Sequence, residues 1–373
     1  MKDVAKKRDL QAAWDVAAIM ADFELQAVAN RTKVFKTAMQ APDFRAGVYE
    51  QLQAFDDANK AAAQRAFNDM RQLTEREFKL LYGEGVGAVD EAVKRARARG
   101  HDIPAQQKRS TSVLTDMLLV TLGRFASTLM MGRDQAQTQL LQITSQVSGA
   151  YDIPEQLSRA QSVYAGKGLT IKQGATEKDI VALSEFQLRN DGRNLQLKAE
   201  GERSAEYDMH YFQISGHPSS CPLCTPWQGK VVIDDVFADG KPDGKTPLMS
   251  GAIADGLYHY NCRHERTVYI PGVSKPNLYR KDIASLKETA TRYAIEQQQR
   301  YNERGIREWK LREATALTDK EQQLAQYKVK EWQAKQHDLR KIAKQEGVPF
   351  YRQYSREQIG GETTPKARAY MSK

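Results

Sequence analysis

The sequence predicts a mainly α-helical protein that carries one small β-rich module between long helices. Apolar residues recur at helical spacing through most of the chain, as in Tyr49, Leu52 and Phe55. Short β-branched or aromatic runs separated by Gly, Pro, Asp and Asn are concentrated between residues 211 and 272. All three cysteines lie in that same stretch. A module this small has little apolar core, so we expect a zinc knuckle to hold it together.

The composition is that of a folded, basic protein. The chain has 373 residues, 40% of them hydrophobic, and a formal net charge of +9. The segment from Tyr301 to Lys373 holds sixteen Lys and Arg against ten Asp and Glu, so the basic end is the C-terminus. This charge favours polyanionic surroundings such as nucleic acid, but a solvated basic surface has the same composition.

The apolar stretches predict no signal peptide and no membrane span. The N-terminus has basic residues without an uninterrupted apolar core. The longest apolar run, from Val113 to Met131, contains Asp116 and Arg124, which are costly inside a bilayer. We therefore expect a buried helix of a soluble protein.

Four regions follow from the pattern along the chain. Residues 1–103 are a helical region, in which the glycines of "LYGEGVGAVD" predict a turn between helices, because the G-K-[ST] ending of a phosphate loop is missing. Residues 104–210 are a second helical region with a short β piece near "AGKGLTIKQG". Residues 211–272 form the β-rich Cys/His module. Residues 273–373 are a basic helical region.

The last region contains a helix with clear start and stop signals. Thr318 and Glu321 have the spacing of a capping box, and Gly347 and Pro349 follow the last helical residues. A second helix in this region carries Arg304, Arg307 and Lys310 at i, i+3, i+6 spacing. We interpret these three as a candidate nucleic-acid or partner-binding face, with an exposed solvated face as the alternative.

The cysteine pattern is that of a metal knuckle. Cys221 and Cys224 form a C-x2-C pair, and "YHYNCRH" adds Cys262 with His264 or His259. Zinc binds thiolate and imidazole tetrahedrally, and a C-x2-C turn supplies two of the four ligands. Three cysteines cannot all pair within one chain. Reduced thiols without metal and a redox pair remain as alternatives.

An enzymatic role has no specific motif behind it. A catalytic zinc needs an open coordination position and an acid or base nearby. Asp234, Asp235 and Asp255 are available in the module, but turn-rich loops commonly contain such residues. The sequence has no H-E-x-x-H and no nucleophile motif. We therefore expect a protein that is not an enzyme.

Four segments in order resemble the phage minor capsid protein 2 family. They are "SGHPSSCPLCTPWQGKVV", "YHYNCRHERTVYIPG", "QQQRYNERGIREWK" and "VKEWQAKQHDLRKI", within residues 166–356. The likeness is most specific at these positions: Trp227, Gln228, Gly229, Lys230, Asn261, Cys262, Arg263, His264, Arg304, Ile306, Arg307 and Lys310. Family members typically have His at the position of His217 and at that of Cys224, and usually no cysteine at that of Cys221. Our predicted zinc ligands are Cys221, Cys224, Cys262 and His264, with His217 and His259 as substitutes.

The resemblance implies a function that composition alone does not. It implies a structural minor capsid protein of a tailed bacteriophage head, made in the host cytoplasm and present in the virion. Expected partners are the portal protein, the major capsid protein or both, with non-specific contact to packaged DNA; some relatives are delivered with the DNA. Oligomer formation stays open. The alternative is a zinc-dependent enzyme that handles nucleic acid, or an effector ejected with the DNA.

Overall fold

The computed structural model describes residues 2–104, 112–173, 175–216, 220–259, 262, 264–274 and 286–360. Helices dominate, in the order α1 Lys2–Ala38, α2 Phe44–Glu50, α3 Leu52–Arg97, α4 Val113–Val147, α5 Ile153–Lys167, α6 Ile180–Ala205, α7 Met249–Ala254, α8 Leu286–Ala314 and α9 Asp319–Gln345. The strands are β1 Thr170–Gln173, β2 Thr176–Asp179, β3 Tyr211–Ile214, β4 Val231–Ile233 and β5 Arg266–Val268. The predicted fold class, mainly helical with a small sheet region, is confirmed. The division into four regions stays a prediction.

The chain forms two compact units. Unit 1 consists of Met1–Thr74, Leu122–Leu188 and Gln298–Lys373, and unit 2 consists of Glu75–Thr121 and Arg189–Gln297. Unit 1 has a core of fully buried side chains, among them Phe23, Phe35, Phe125, Leu140 and Ile143. Unit 2 contains all the cysteines, so it is the unit that positions the candidate metal ligands.

The Cys/His module is built on an antiparallel sheet of three strands in the order β4-β3-β5. Central strand β3 pairs Phe212 with Val232 of β4 and with Val268 of β5. Phe212, Gln213 and Ile214 are all buried, so this part of β3 is covered on both faces. The strands occupy three of the runs predicted to be extended, although each strand is shorter than its run.

The turn predicted between the first helices is wrong. The glycines of "LYGEGVGAVD" do not form a turn, because α3 continues through them. Within unit 2, a Cβ at Gly85 would lie 2.9 Å from the Gln196 carbonyl oxygen and 3.1 Å from Ala199 Cβ. Gly85 therefore permits a close approach of α6 to α3, a packing reason that the local pattern cannot reveal.

The apolar helix α4 is less buried than expected. Among the described residues it is the one helix long and apolar enough to cross a bilayer by length and composition, a test that core helices of other proteins also pass. Only 22% of its apolar window is buried, and Leu119, Val120, Met130 and Met131 are exposed. One face packs inward while the other stays apolar and uncovered. Composition alone does not separate these two faces.

The start of α9 follows the sequence prediction. The Thr318 hydroxyl accepts the Glu321 N–H at 3.4 Å as the helix N-cap. The helix ends at Gln345, and Gly347 follows with a φ of 65°, the left-handed conformation common after helix ends. Both signals for this helix are therefore confirmed.

Candidate metal centre

The two cysteine segments start from the same end of the module sheet. Ile214, the last residue of β3, pairs with Arg266, the first residue of β5. Beyond this pair the Ser215 N–H donates to the Glu265 carbonyl at 2.8 Å, and the Glu265 N–H donates to the Ser215 hydroxyl at 2.8 Å. These hydrogen bonds therefore join the start of the segment that carries Cys221 to the end of the loop before β5.

The first loop is a turn centred on the C-x2-C pair. The Cys221 carbonyl accepts the N–H groups of Cys224 at 3.2 Å and Thr225 at 3.0 Å, and the Thr225 hydroxyl at 2.8 Å. A short 3-10 turn, Thr225–Trp227, follows. Trp227 is buried in the module core, with the Lys230 amine 4.6 Å from its ring centroid. The local hydrogen bonds thus fix the spacing between the first two thiols.

The second loop runs from the end of α7 to β5. The His259 N–H donates to the Gly256 carbonyl at 3.3 Å, and the Cys262 N–H donates to the His259 carbonyl at 3.0 Å. The His264 N–H points at Cys262 Sγ, 3.4 Å away. Tyr258 has a φ of 60°, a left-handed conformation that is rare for a bulky residue and persists only where the surroundings hold it.

The loops bring five donor side chains together. Cys221 Sγ lies 2.8 Å from His259 Nε2, Cys224 Sγ lies 3.6 Å from Cys262 Sγ, and Cys262 Sγ lies 3.3 Å from His264 Nδ1. Two groups of three have all their donor atoms within 4.8 Å of one another. One is Cys221, Cys224 and His259, the other is Cys224, Cys262 and His264, and Cys224 belongs to both.

The donor set suits a thiophilic metal ion. Zn–S bonds of about 2.3 Å and Zn–N bonds of about 2.0 Å place tetrahedral ligand atoms roughly 3.5 Å apart. The Cys224–Cys262 and Cys262–His264 separations are close to this value, while Cys221 and His259 are nearer to each other. All three thiols are buried in the module core. The cluster could hold a metal ion.

The pKa values of Cys224 and Cys262 are shifted in opposite directions. The Cys224 thiol donates to Cys262, which lowers the pKa of Cys262 and raises the pKa of Cys224. The neighbouring His264 lowers the pKa of Cys262 further. Metal ions bind the thiolate form of cysteine, and the lowered pKa of Cys262 favours that form.

Sequence reasoning missed Arg193 on α6. Its guanidinium donates to the Cys262 carbonyl at 2.6 Å and to the Tyr258 carbonyl at 3.0 Å. Burial lowers the pKa of Arg193, and the charges of Cys262, Tyr258 and Cys224 oppose that shift. Arg193 is separated by 65 residues in sequence from Tyr258, whose carbonyl it binds. The sequence around Arg193 therefore gives no indication of this contact.

Two of the three carboxylates considered for catalysis, Asp234 and Asp235, have side-chain partners in the structure. Asp234 is fully buried and accepts bonds from Arg266 and from two backbone N–H groups. Asp235 accepts the Ser250 N–H at 2.8 Å and the Ser250 hydroxyl at the start of α7. Asp255 follows the last residue of α7 as its C-cap. The contacts of Asp234 and Asp235 explain these two carboxylates without a catalytic role, whereas Asp255 is exposed.

The three predicted cationic residues of α8 differ in their environment within unit 1. Arg307 is 13% exposed and pairs with Glu24 at 2.8 Å and with Asp179. Arg304 is exposed, and Lys310 is half-buried. Arg304 and Arg307 line a cavity of about 250 Å³ together with Glu24 and Asp179. The charge of Arg307 is compensated inside unit 1, which leaves Arg304 as the most accessible cation of the three.

The structure brings together five of the six predicted or substitute metal ligands. These are Cys221, Cys224, Cys262, His264 and His259. The remaining substitute, His217, lies outside the described residues, as do the motif residues Asn261 and Arg263.

Comparison with known proteins points to bacteriophage structural proteins. The model of the family "Phage minor capsid protein 2" matches residues 11–341. A protein of Lactococcus phage LL-H, described as "Structural protein", is 28% identical over 142 residues, which are 37% of this chain and 36% of that protein. The chain thus matches little more than a third of that relative's length. No solved structure matches the chain.

Proposed function

Because the chain belongs to the phage minor capsid protein 2 family, we propose that it is a minor head protein that contacts the portal protein, the major capsid protein or both. The protein is a structural component of the phage virion. We place it close to packaged DNA, because its net charge is +9 and its C-terminal region is basic. The ordered family motifs along the chain carry this proposal.

Within that role we propose that the Cys/His cluster is a structural zinc site. The ligands are Cys221, Cys224, Cys262 and His264, with His259 as the substitute at the fourth position. Two contacts favour His264: its Nδ1 lies 3.3 Å from Cys262 Sγ, and its Nε2 lies 3.3 Å from the Ser220 hydroxyl. Metal-bound imidazoles usually have such a second partner, which fixes the ring orientation.

The size of the module explains why a metal would be needed. Its outer strands, β4 and β5, have three residues each, and long turns join them. A sheet of this size has little apolar area of its own to offset the loss of chain entropy. A zinc ion that links the two loops would supply the missing free energy, because binding and local folding are coupled.

The alternative, a zinc-dependent enzyme that handles nucleic acid or an ejected effector, has less support. A catalytic metal needs an acid or base that is free to exchange protons with substrate. Asp234 is bound to Arg266, and Asp235 accepts the N–H and the hydroxyl of Ser250. The contacts of these carboxylates favour the structural role.

Metal analysis of the full-length chain and of phage particles tests both parts of the proposal. We expect about one zinc per chain. Cys262→Ser should lose the metal, loosen residues 211–272 and deplete the protein from heads. Asp235→Asn is the matched control, because Asp235 is not a predicted ligand and Asn keeps one oxygen that can accept from Ser250.

The controls also separate the two roles. Normal incorporation of Cys262→Ser into infectious heads would contradict a structural zinc. Heads that incorporate Asp235→Asn but lose infectivity would favour the enzyme. Symmetry-relaxed imaging of purified heads should locate the protein at the portal vertex, and density distributed over the whole shell would contradict the portal contact.

A further inference from the structure

Arg193 contacts the second ligand loop at both ends. From α6 its guanidinium donates to the carbonyl of Cys262 at 2.6 Å and to that of Tyr258 at 3.0 Å. A third bond, to the Asn190 side-chain oxygen at 2.8 Å, holds the guanidinium against its own helix. One rigid planar group therefore fixes the backbone on both sides of His259.

Among the residues that the structure describes, no carboxylate accepts a hydrogen bond from Arg193. Its acceptors are two backbone carbonyls and one side-chain amide, all of them uncharged. By contrast, Arg266 in the same module pairs with Asp234 and with Glu200. A buried cation without a counter-charge is costly. The ionisable side chains that raise the pKa of Arg193, against the effect of burial, are those of Cys262, Tyr258 and Cys224.

We propose that Arg193 is the positioning residue of the metal centre, which holds the second ligand loop in its binding geometry and offsets the charge of the thiolates. The inference rests on the proposed zinc site. Three thiolates around one divalent cation leave a net charge of minus one, which a single guanidinium balances. The positive charge of Arg193 and the negative charge of the metal with its three thiolates would thus compensate each other inside the protein.

The backbone of the loop shows why such a clamp is needed. Tyr258 has a φ of 60°, and this strained residue directly precedes His259. A left-handed conformation is unfavourable at a bulky residue, because its Cβ crowds the neighbouring backbone. Arg193 binds the Tyr258 carbonyl, and its guanidinium carbon lies 5.8 Å from the centroid of the Tyr258 ring. These contacts oppose relaxation of the turn that presents the ligands.

Titration of the metal-free full chain with Co²⁺, followed by competition with Zn²⁺, tests the role of Arg193. Arg193→Gln should bind both ions about 10- to 100-fold more weakly than the wild type, the usual loss when a partner of a metal ligand is removed. Arg193→Lys keeps the positive charge but loses the planar guanidinium. Its affinity for both ions should lie between those of the wild type and of Arg193→Gln. The metal-induced rise in Tm should shrink in the same order.

Arg203→Gln is the matched control on the same helix. Arg203 pairs with Asp90 at 2.7 Å and with the Tyr207 hydroxyl at 2.7 Å, and neither partner belongs to the ligand loops. This variant should lower the Tm of the metal-free and metal-bound chain alike and leave the affinity for Co²⁺ unchanged.

The outcomes separate the inference from the zinc site itself. A wild-type chain that takes up no Co²⁺ or Zn²⁺ would overturn the zinc site and the inference with it. A wild-type chain that binds both ions, with Arg193→Gln equally tight, would overturn the role of Arg193 alone. An Arg203→Gln variant that is weakened as much as Arg193→Gln would also overturn it, because the effect would then be one of general stability.

Discussion

Asp234 and Arg266 form a fully buried pair at the centre of the module. Arg266 also pairs with Glu200 at 3.1 Å, and its guanidinium carbon lies 4.0 Å from the centroid of the Phe212 ring. Removing one partner of a buried ion pair leaves the other charge uncompensated, which costs far more than the pair contributes. The role of Asp234 therefore follows from its burial.

We expect Asp234→Asn to destabilise unit 2 by about 3–5 kcal/mol, because Arg266 would lose one of its two carboxylates. Hydrogen exchange of strand β3, followed in the full chain, measures this loss. Asp235→Asn, one residue away and half-buried, should change the free energy from the same exchange rates by less than about 0.5 kcal/mol. Equal protection of β3 in the two variants would contradict the assignment.

Glu24 is a buried carboxyl whose protonation affects the stability of unit 1. Burial raises the pKa of Glu24 from its ordinary 4.5 to about 7, with Arg307 acting in the opposite direction. The folded state therefore keeps a proton that the unfolded state releases between about pH 4.5 and 7. Stability from this group is present at low pH and is lost as pH rises through about 7.

The comparison of wild type with Glu24→Gln isolates this effect, because the other titrating groups are common to both proteins. From pH 8 to pH 5 the wild type should gain stability relative to the variant, by at most on the order of 3 kcal/mol. Urea midpoints of the full chain at the two pH values measure the gain. A relative loss on acidification would mean that Glu24 is ionised throughout as the partner of Arg307.

The candidate site could be predicted from the sequence only as far as local spacing reaches. The Cys221–Cys224 pair and the knuckle around Cys262 have recognisable spacings, and the structure brings these segments together. The choice between His259 and His264 depends on side-chain geometry that spacing does not encode. Arg193 reaches the site from another helix, so only the folded chain reveals it.

At the scale of elements, local chemistry predicted more than packing did. The module strands and the capped start of α9 follow from residue type and turn signals. The unbroken α3 and the uncovered face of α4 depend on which helices lie beside them. A glycine in a helix marks a turn in one setting and a close contact in another, and sequence alone does not separate the two.

Gly305 in α8 lies at a close contact between two helices. A Cβ at this position would lie 2.5–2.7 Å from three ring atoms of Trp332 in α9. Trp332 is also held by Tyr301, in an edge-on contact with a centroid distance of 5.3 Å, and by the Lys335 amine, 4.1 Å from its ring centroid. The ring therefore has little freedom to move away from α8.

We expect Gly305→Ala to lower the stability of unit 1 by about 1–3 kcal/mol through overpacking against Trp332. Gly123→Ala in α4 is the control, because no described atom lies within 4 Å of a Cβ at Gly123. The control should gain about 0.5–1 kcal/mol from helix propensity. Thermal unfolding monitored by tryptophan fluorescence measures both, and a gain in both variants would contradict the close contact.

At the scale of the whole molecule, the basic C-terminal region is part of a folded unit. Leu311 of α8 packs in a core cluster with Val28 and Ala165 of unit 1. Deleting this region would remove core side chains together with charge. Substitution of exposed lysines on α9, such as Lys320, Lys330 and Lys344, tests the charge alone.

We expect DNA binding by the full chain to be independent of sequence and to fall steeply with salt. Changing Lys320, Lys330 and Lys344 to Gln should weaken it and lower the salt slope by about 0.9 for each phosphate that is no longer neutralised. The same change at three exposed lysines of α3 is the control of equal charge: Lys60, Lys79 and Lys94. Equal effects of the two triple variants would mean that α9 is an ordinary solvated surface.

Unit 1 can fold completely only after its last segment has been synthesised. The unit includes Met1–Thr74 but also Gln298–Lys373, so the first helices emerge from the ribosome long before their last partners. At about 5–20 residues per second, α1 waits roughly 15–60 s before the chain reaches α8. Unit 2 also consists of separate segments, but its last residue is Gln297, so its chain is complete earlier. Nascent α1 would therefore expose apolar side chains such as Leu25 and Val28, whose cluster includes Leu311 of α8, and host chaperones that bind such segments are expected to meet this protein during translation.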